Sequence, residues 1–145
     1  MDSITVKILR EGATLPTYGS SEAAGADLYA CLDADVVIEP GKTAFIPTGF
    51  AMAVPKGCAG LIYARSGMAC KRDLAPANKV GVIDSDYRGE IMVALHNHGS
   101  QMQTIANGDR IAQMIITPVI TPAYTWAENL DDTNRGEGGF GSTGK

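Results

Sequence analysis

The chain has 145 residues, 45% hydrophobic and 19% charged, and carries a formal net charge of −4. That is length enough for one core but not for two, and a net-acidic chain lacks the basic face that duplex DNA or an anionic membrane requires. Cys31, Cys58 and Cys70 are odd in number and widely spaced, which argues against a disulfide framework or a CxxC metal site; together with an opening MDSITVKILR that has no signal-peptide run, they predict a cytoplasmic protein without a membrane span.

Alternation of apolar and polar residues predicts strands at 4–9, 36–38, 43–46, 50–54, 60–63, 81–83, 90–95, 102–105 and 110–116. Turn chemistry separates them at Pro40-Gly41, Pro47, Pro55-Lys56-Gly57, His98-Gly99-Ser100 and Asn107-Gly108-Asp109. No window of helical period exceeds two turns; the best candidate is 66–71, with Ser66 placed to cap it and offer an anion site at its start. Pro118 and Pro122 end ladder pairing, and from Ala127 the chain turns polar and Gly-rich. The expectation is an all-β sandwich or barrel body over 1–120 and an arm with a tail over 121–145, with no internal repeat.

Several clusters carry chemistry. Asp27 lies in AGADLYA, and Arg65-Ser66-Gly67 places a guanidinium, a hydroxyl and free N–H groups at the helix start, a set suited to phosphate oxygens. In GVIDSDYRGE, Asp84 follows a short apolar run and Tyr87 stands three residues on, an acceptor beside a flat stacking face; taken alone, an Asp in such a turn serves local backbone bonds, as does Asp109 in NGDRIAQ. Gln113 alternates with Ile111 and Ile115, so its amide needs a partner. His96 and His98 are two apart and expected on one strand face, but without a third ligand they make a poor zinc site.

The run RGEGGFGSTGK, 135–145, holds five glycines together with Arg135, Ser142, Thr143 and Lys145, and one large apolar side chain, Phe140. Such a run can wrap an anion in backbone N–H groups while the ring stacks on a flat ligand. Residues 139–145 also read G-x-x-x-x-G-K. A P-loop is rejected because no Ser/Thr follows Lys145 and neither the preceding strand nor the following helix is present.

In order and spacing, AGADLYA, ARSGMA, NKVGVIDSDYRG, GDRIAQMI and RGEGGFGSTG resemble the five motifs of the trimeric dUTP pyrophosphatase (dUTPase) family. The second motif of that family usually reads Pro-Arg-Ser-Gly, and Ala64 stands here in place of the proline. The resemblance implies an all-β, jelly-roll-like distorted barrel with one short helix, assembled as a homotrimer with shared active sites, and hydrolysis of dUTP to dUMP and pyrophosphate with Mg²⁺. That activity would keep uracil out of DNA and supply dUMP.

By the same resemblance, Asn78 and the main chain of Gly81, Val82 and Ile83 read the uracil edge, and Tyr87 packs on the deoxyribose and excludes a 2′-hydroxyl. Arg65, Ser66, Gly67 and Gln113 hold the triphosphate, and Asp27 meets waters around Mg²⁺. Arg135, Phe140, Gly141, Ser142 and Thr143 close over the ligand, Phe140 on the uracil and the hydroxyls at the γ-phosphate. Asp84 contacts the 3′-hydroxyl and activates the water that attacks the α-phosphorus. Two rivals stand beside this reading. A dCTP deaminase, or its bifunctional form, has a similar fold but places a glutamate near the hairpin, where Asp84-Ser85-Asp86-Tyr87 fits the dUTPase pattern better. A nucleotide-sensing protein would bind in the same pocket without releasing pyrophosphate.

Overall fold

In the computed structural model, which describes residues 3–142, the strands are β1 (Val6–Ile8), β2 (Thr17–Tyr18), β3 (Ala26–Tyr29), β4 (Val36–Ile38), β5 (Thr43–Pro47), β6 (Phe50–Met52), β7 (Cys58–Tyr63), β8 (Leu74–Pro76), β9 (Gly81–Ile83), β10 (Met92–Asn97), β11 (Gln103–Ile105) and β12 (Arg110–Pro118), with one helix, α1 (Ser66–Lys71). All pairings are antiparallel. The largest sheet runs β2-β3-β12-β7-β9; the others are β5-β10-β8, β1-β6 and β11-β4. Among the described residues, this jelly-roll-like arrangement shares its strands among four sheets and does not close into one hydrogen-bonded cylinder.

The core lies where the inward faces of these sheets meet, around the fully buried Leu28, Ile46, Leu74, Ile91, Leu95 and Ile111. Burying each such side chain contributes roughly 1.5–3 kcal/mol. Strand β10 shows the period-two logic well: Val93, Leu95 and Asn97 point inward, and Ala94 and His96 are half-buried between them. Asn97 is tolerated there because its Nδ2 donates to the Ile38 and Gln101 carbonyls while its Oδ1 accepts from Gly99 N–H.

Helix α1 differs from expectation at its start. Arg65 occupies the N-cap in an extended conformation with no side-chain cap, so Ser66 is the first helical residue and not the cap. The helix stops after six residues because Asp73 turns left-handed at φ 54. Arg72 fixes its end to β11, donating from Nε to Gln103 Oε1 at 3.2 Å and from Nη2 to the Thr104 carbonyl. The histidine pair also separates: His96 lies in β10 with Nδ1 3.0 Å from Thr43 Oγ1, whereas His98 lies past the strand end, 3.7 Å from Asp73. The alternation needed to put both on one face ends at Asn97.

Candidate active site

Three groups of sequence-predicted residues occupy three places. The first is a cavity of about 340 Å³ beside β9, within the roughly 300–1,000 Å³ typical of small-molecule sites. The chain enters it through a tight turn, in which Lys79 N–H donates to the Pro76 carbonyl at 3.0 Å and Val80 N–H to the Asn78 carbonyl at 2.7 Å, with Lys79 at φ 66. Gly81 then packs against Ile62, where even a Cβ would come within 3.2 Å of the Ile62 Cβ. Among the described residues β9 ends its sheet, so its outer row of N–H and C=O groups faces away from β7 and is free to read the polar edge of a flat ligand.

Asp84 follows β9 directly, and Tyr87 N–H closes the turn on the Asp84 carbonyl at 3.2 Å. Asn78, Gly81, Val82, Ile83, Asp84 and Tyr87 all line the cavity. So do Phe45, Glu90 and Met92, which sequence reasoning missed. Phe45 and Met92 arrive through the pairing of β5 with β10, a contact between residues far apart in sequence, and Glu90 lies in the segment that leads into β10. No local pattern in the sequence reports them; Phe45 stands out only in the structure, 69% accessible in a strand.

The second group forms a row across the largest sheet. Asp27 on β3 lies opposite Gln113 on β12, and Gln113 lies opposite Tyr63 on β7, two residues before Arg65. Arg65 Nε donates to Asp27 Oδ1 at 2.7 Å and Arg110 Nη1 to Asp27 Oδ2 at 3.4 Å. Two guanidiniums on one buried carboxylate leave one net positive charge, a start for an anion site. Arg110 was not foreseen, although it stands in the predicted fourth motif.

Gln113 Nε2 donates to the Ala64 carbonyl at 2.9 Å, so the residue in the usual proline position contributes through its backbone. A β-bulge between Arg110 and Ala112 means that Gln113 does not share a simple alternating face with Ile111, which is fully buried. Gly25 makes room for this amide, since a Cβ there would lie 2.6 Å from Gln113 Oε1. Ser66 and Gly67 are exposed at the start of α1. None of Asp27, Arg65, Ser66, Gly67 or Gln113 lines the cavity.

The third group is the tail. Val119 N–H donates to the Gly57 carbonyl at 2.9 Å, and beyond it Ile120, Tyr124, Trp126 and Leu130 are almost entirely exposed. The glycine-rich segment is folded on itself: Arg135 Nε donates to the Gly138 carbonyl at 2.7 Å and Gly139 N–H to Ser142 Oγ at 2.9 Å, with Gly136, Phe140 and Gly141 at positive φ. Phe140 is fully exposed. Thr143 lies outside the described residues.

An edge strand free to read a planar group, a cation row beside a buried carboxylate and a glycine-rich turn are features of an all-β protein that suit a planar, anionic ligand. The chain belongs to the dUTPase family, whose model matches residues 11–144. It is 52% identical to the deoxyuridine 5′-triphosphate nucleotidohydrolase of Desulfitobacterium hafniense, over 99% of both chains. It is 45% identical to that of Shigella flexneri, over 100% of this chain and 99% of the relative.

Among solved structures, the Staphylococcus bacteriophage 80alpha dUTPase with dUPNHPP superposes at a TM-score of 0.90 with 29% identity, covering 100% of both chains. A mutant dUTPase from phage phi11 of S. aureus, described for the coordination of a structural Mg(II) ion, superposes at 0.80 with 27% identity over 88% of this chain and 98% of that one. These relatives favour the dUTPase reading over the deaminase.

Proposed function

We propose that this protein hydrolyses dUTP to dUMP and pyrophosphate in a homotrimer whose active sites are shared between copies. The observation that carries this reading is the cavity itself, in which an edge strand, Asp84 and Tyr87 converge around a volume suited to a nucleoside. The outer edge of β9 presents fixed donors and acceptors to the uracil, and mispairing of those groups rejects cytosine. Tyr87 seats the deoxyribose. Asp84 orients and deprotonates the attacking water, its turn fixed by the Tyr87 amide.

Arg65, Ser66, Gly67 and Gln113 bind the triphosphate from a neighbouring copy, a division supported by their absence from the cavity lining of their own chain. The arm over 121–145 lays its tail over a neighbouring site, where Arg135, Phe140, Gly141, Ser142 and Thr143 exclude water. Its large exposed apolar side chains support this, because such residues need a surface to cover them.

Among the described residues no group of three or more His, Cys, Asp or Glu comes together. A hard divalent cation such as Mg²⁺ would be held mainly by the triphosphate, with Asp27 as the oxygen donor this chain would bring near it through water. When bound, such an ion neutralises the phosphate oxygens and lowers repulsion towards the incoming nucleophile. Among the described residues no helix is long and apolar enough to cross a membrane, and the reduced thiols and the substrate accord with a cytoplasmic location. The test is pyrophosphate release from dUTP, dCTP, dTTP and UTP. Turnover of dUTP alone is expected, and nucleotide binding without release would mark a sensor instead.

A further inference from the structure

Glu90 joins the cavity to the rest of the body through three contacts that the motif pattern does not explain. Its Oε1 accepts from Gly49 N–H at 3.0 Å and from Arg10 Nε at 3.1 Å, and its backbone carbonyl accepts from the Tyr87 hydroxyl at 3.0 Å. The peptide carrying that carbonyl is pinned on its other side, where Ile91 N–H donates to the Phe50 carbonyl at 2.9 Å. Gly49 is itself constrained: it is buried at φ 78, and its carbonyl accepts from Leu9 and Arg10 N–H at 2.8 and 3.0 Å. Gly89 completes the arrangement, because a Cβ there would overlap the Tyr87 hydroxyl.

We infer that Glu90 is a positioning residue that sets selectivity for the 2′-deoxy sugar by holding the Tyr87 ring in place. Tyr87 is 44% exposed, so packing alone does not immobilise its ring. What fixes it is a hydrogen bond to a carbonyl whose direction is set by the Glu90 side chain on one side and the Ile91 amide on the other. A steric filter works only if its wall stands still. A ring free to swing aside admits a 2′-hydroxyl, so loosening the tether should relax discrimination more than it slows the preferred substrate. The inference rests on the proposed dUTPase function and adds a residue that touches the filter and not the chemistry.

The test compares kcat/KM for dUTP with kcat/KM for UTP in the full-length wild type, Glu90→Ala, Glu90→Gln and Tyr87→Phe, with melting temperatures measured in parallel. Glu90→Ala is expected to lower the dUTP-over-UTP ratio by about tenfold or more, and Glu90→Gln, which keeps an acceptor oxygen for Gly49 and Arg10, to hold it within about threefold. Tyr87→Phe removes the tether but keeps the ring and is expected to lower the ratio too, which keeps the tether open to refutation if Glu90→Ala does not fold. A Glu90→Ala protein that melts lower and loses activity on both nucleotides equally, with its ratio unchanged, overturns the inference and makes Glu90 merely structural. So does a Tyr87→Phe ratio equal to wild type. A wild type that turns over dUTP and UTP alike overturns the functional reading and this inference with it, whereas a discriminating wild type with an equally discriminating Glu90→Ala overturns the inference alone.

Discussion

Arg65 and Asp27 are joined by a 2.7 Å ion pair across which β3 fixes the direction of a guanidinium that belongs to the loop after β7. Asp27 also reaches Arg110, so one buried carboxylate holds two cations. Asp27→Asn should leave both guanidiniums under-compensated, destabilise the protein by about 2 kcal/mol and lower kcat/KM for dUTP by more than about tenfold. Thermal melts and steady-state kinetics check this. A variant matching wild type in both would mean that Asp27 does not set the Arg65 geometry.

Gly25→Ala probes the same row from the other side. Its Cβ would come within 2.6 Å of Gln113 Oε1, and the amide would have to give up its bond to the Ala64 carbonyl. KM for dUTP should rise by about tenfold with a small effect on melting, since Gln113 is half-buried and lies outside the main core. An unchanged KM would remove Gln113 from phosphate binding.

Asp84→Asn keeps the shape of the cavity but removes the charge that activates water. Nucleotide affinity should stay within about tenfold of wild type while turnover falls at least about a hundredfold. Equilibrium binding of a non-hydrolysable dUTP analogue, measured beside single-turnover hydrolysis, separates the two effects. Near-normal turnover would exclude Asp84 as the base.

Metal removal gives an independent reading. Full activity should be lost in EDTA and return with Mg²⁺, because the chain's own cations leave a triphosphate only partly neutralised. Undiminished hydrolysis in chelator would contradict the place proposed for the ion.

The sequence made visible those parts of the molecule that depend on local chemistry. Glycines and prolines marked most turns, and the motif residues 78–87 were legible because they follow one another along the chain around the single strand β9. Strand β3 escaped because Ala26, Asp27 and Leu28 are all buried, between β2 and β12, and so show no alternation. Strand β8 begins just after the left-handed Asp73 and ends on Pro76, which reads as a breaker. Phe45 and Met92 enter the cavity through sheet pairing that no local pattern reports, Glu90 is held there by the distant Gly49 and Arg10, and Arg110 gains its meaning only from the position of Asp27 across the sheet.

In the proposed function, a cavity, a cation row and a tail from different copies make one dUTP-hydrolysing site. Ending the chain at Asn134 should leave the body folded, since residues 135–142 add nothing to the core, but inactive, because the lid is gone. Asp84→Asn should be inactive for a different reason. Pyrophosphate release from dUTP is therefore to be measured after the two inactive proteins are unfolded, mixed and refolded together. Shared sites predict that activity returns, because a truncated copy supplies Asp84 while its Asp84→Asn neighbour supplies the tail. Mixed oligomers that form and stay inactive would mean that no site is shared between copies.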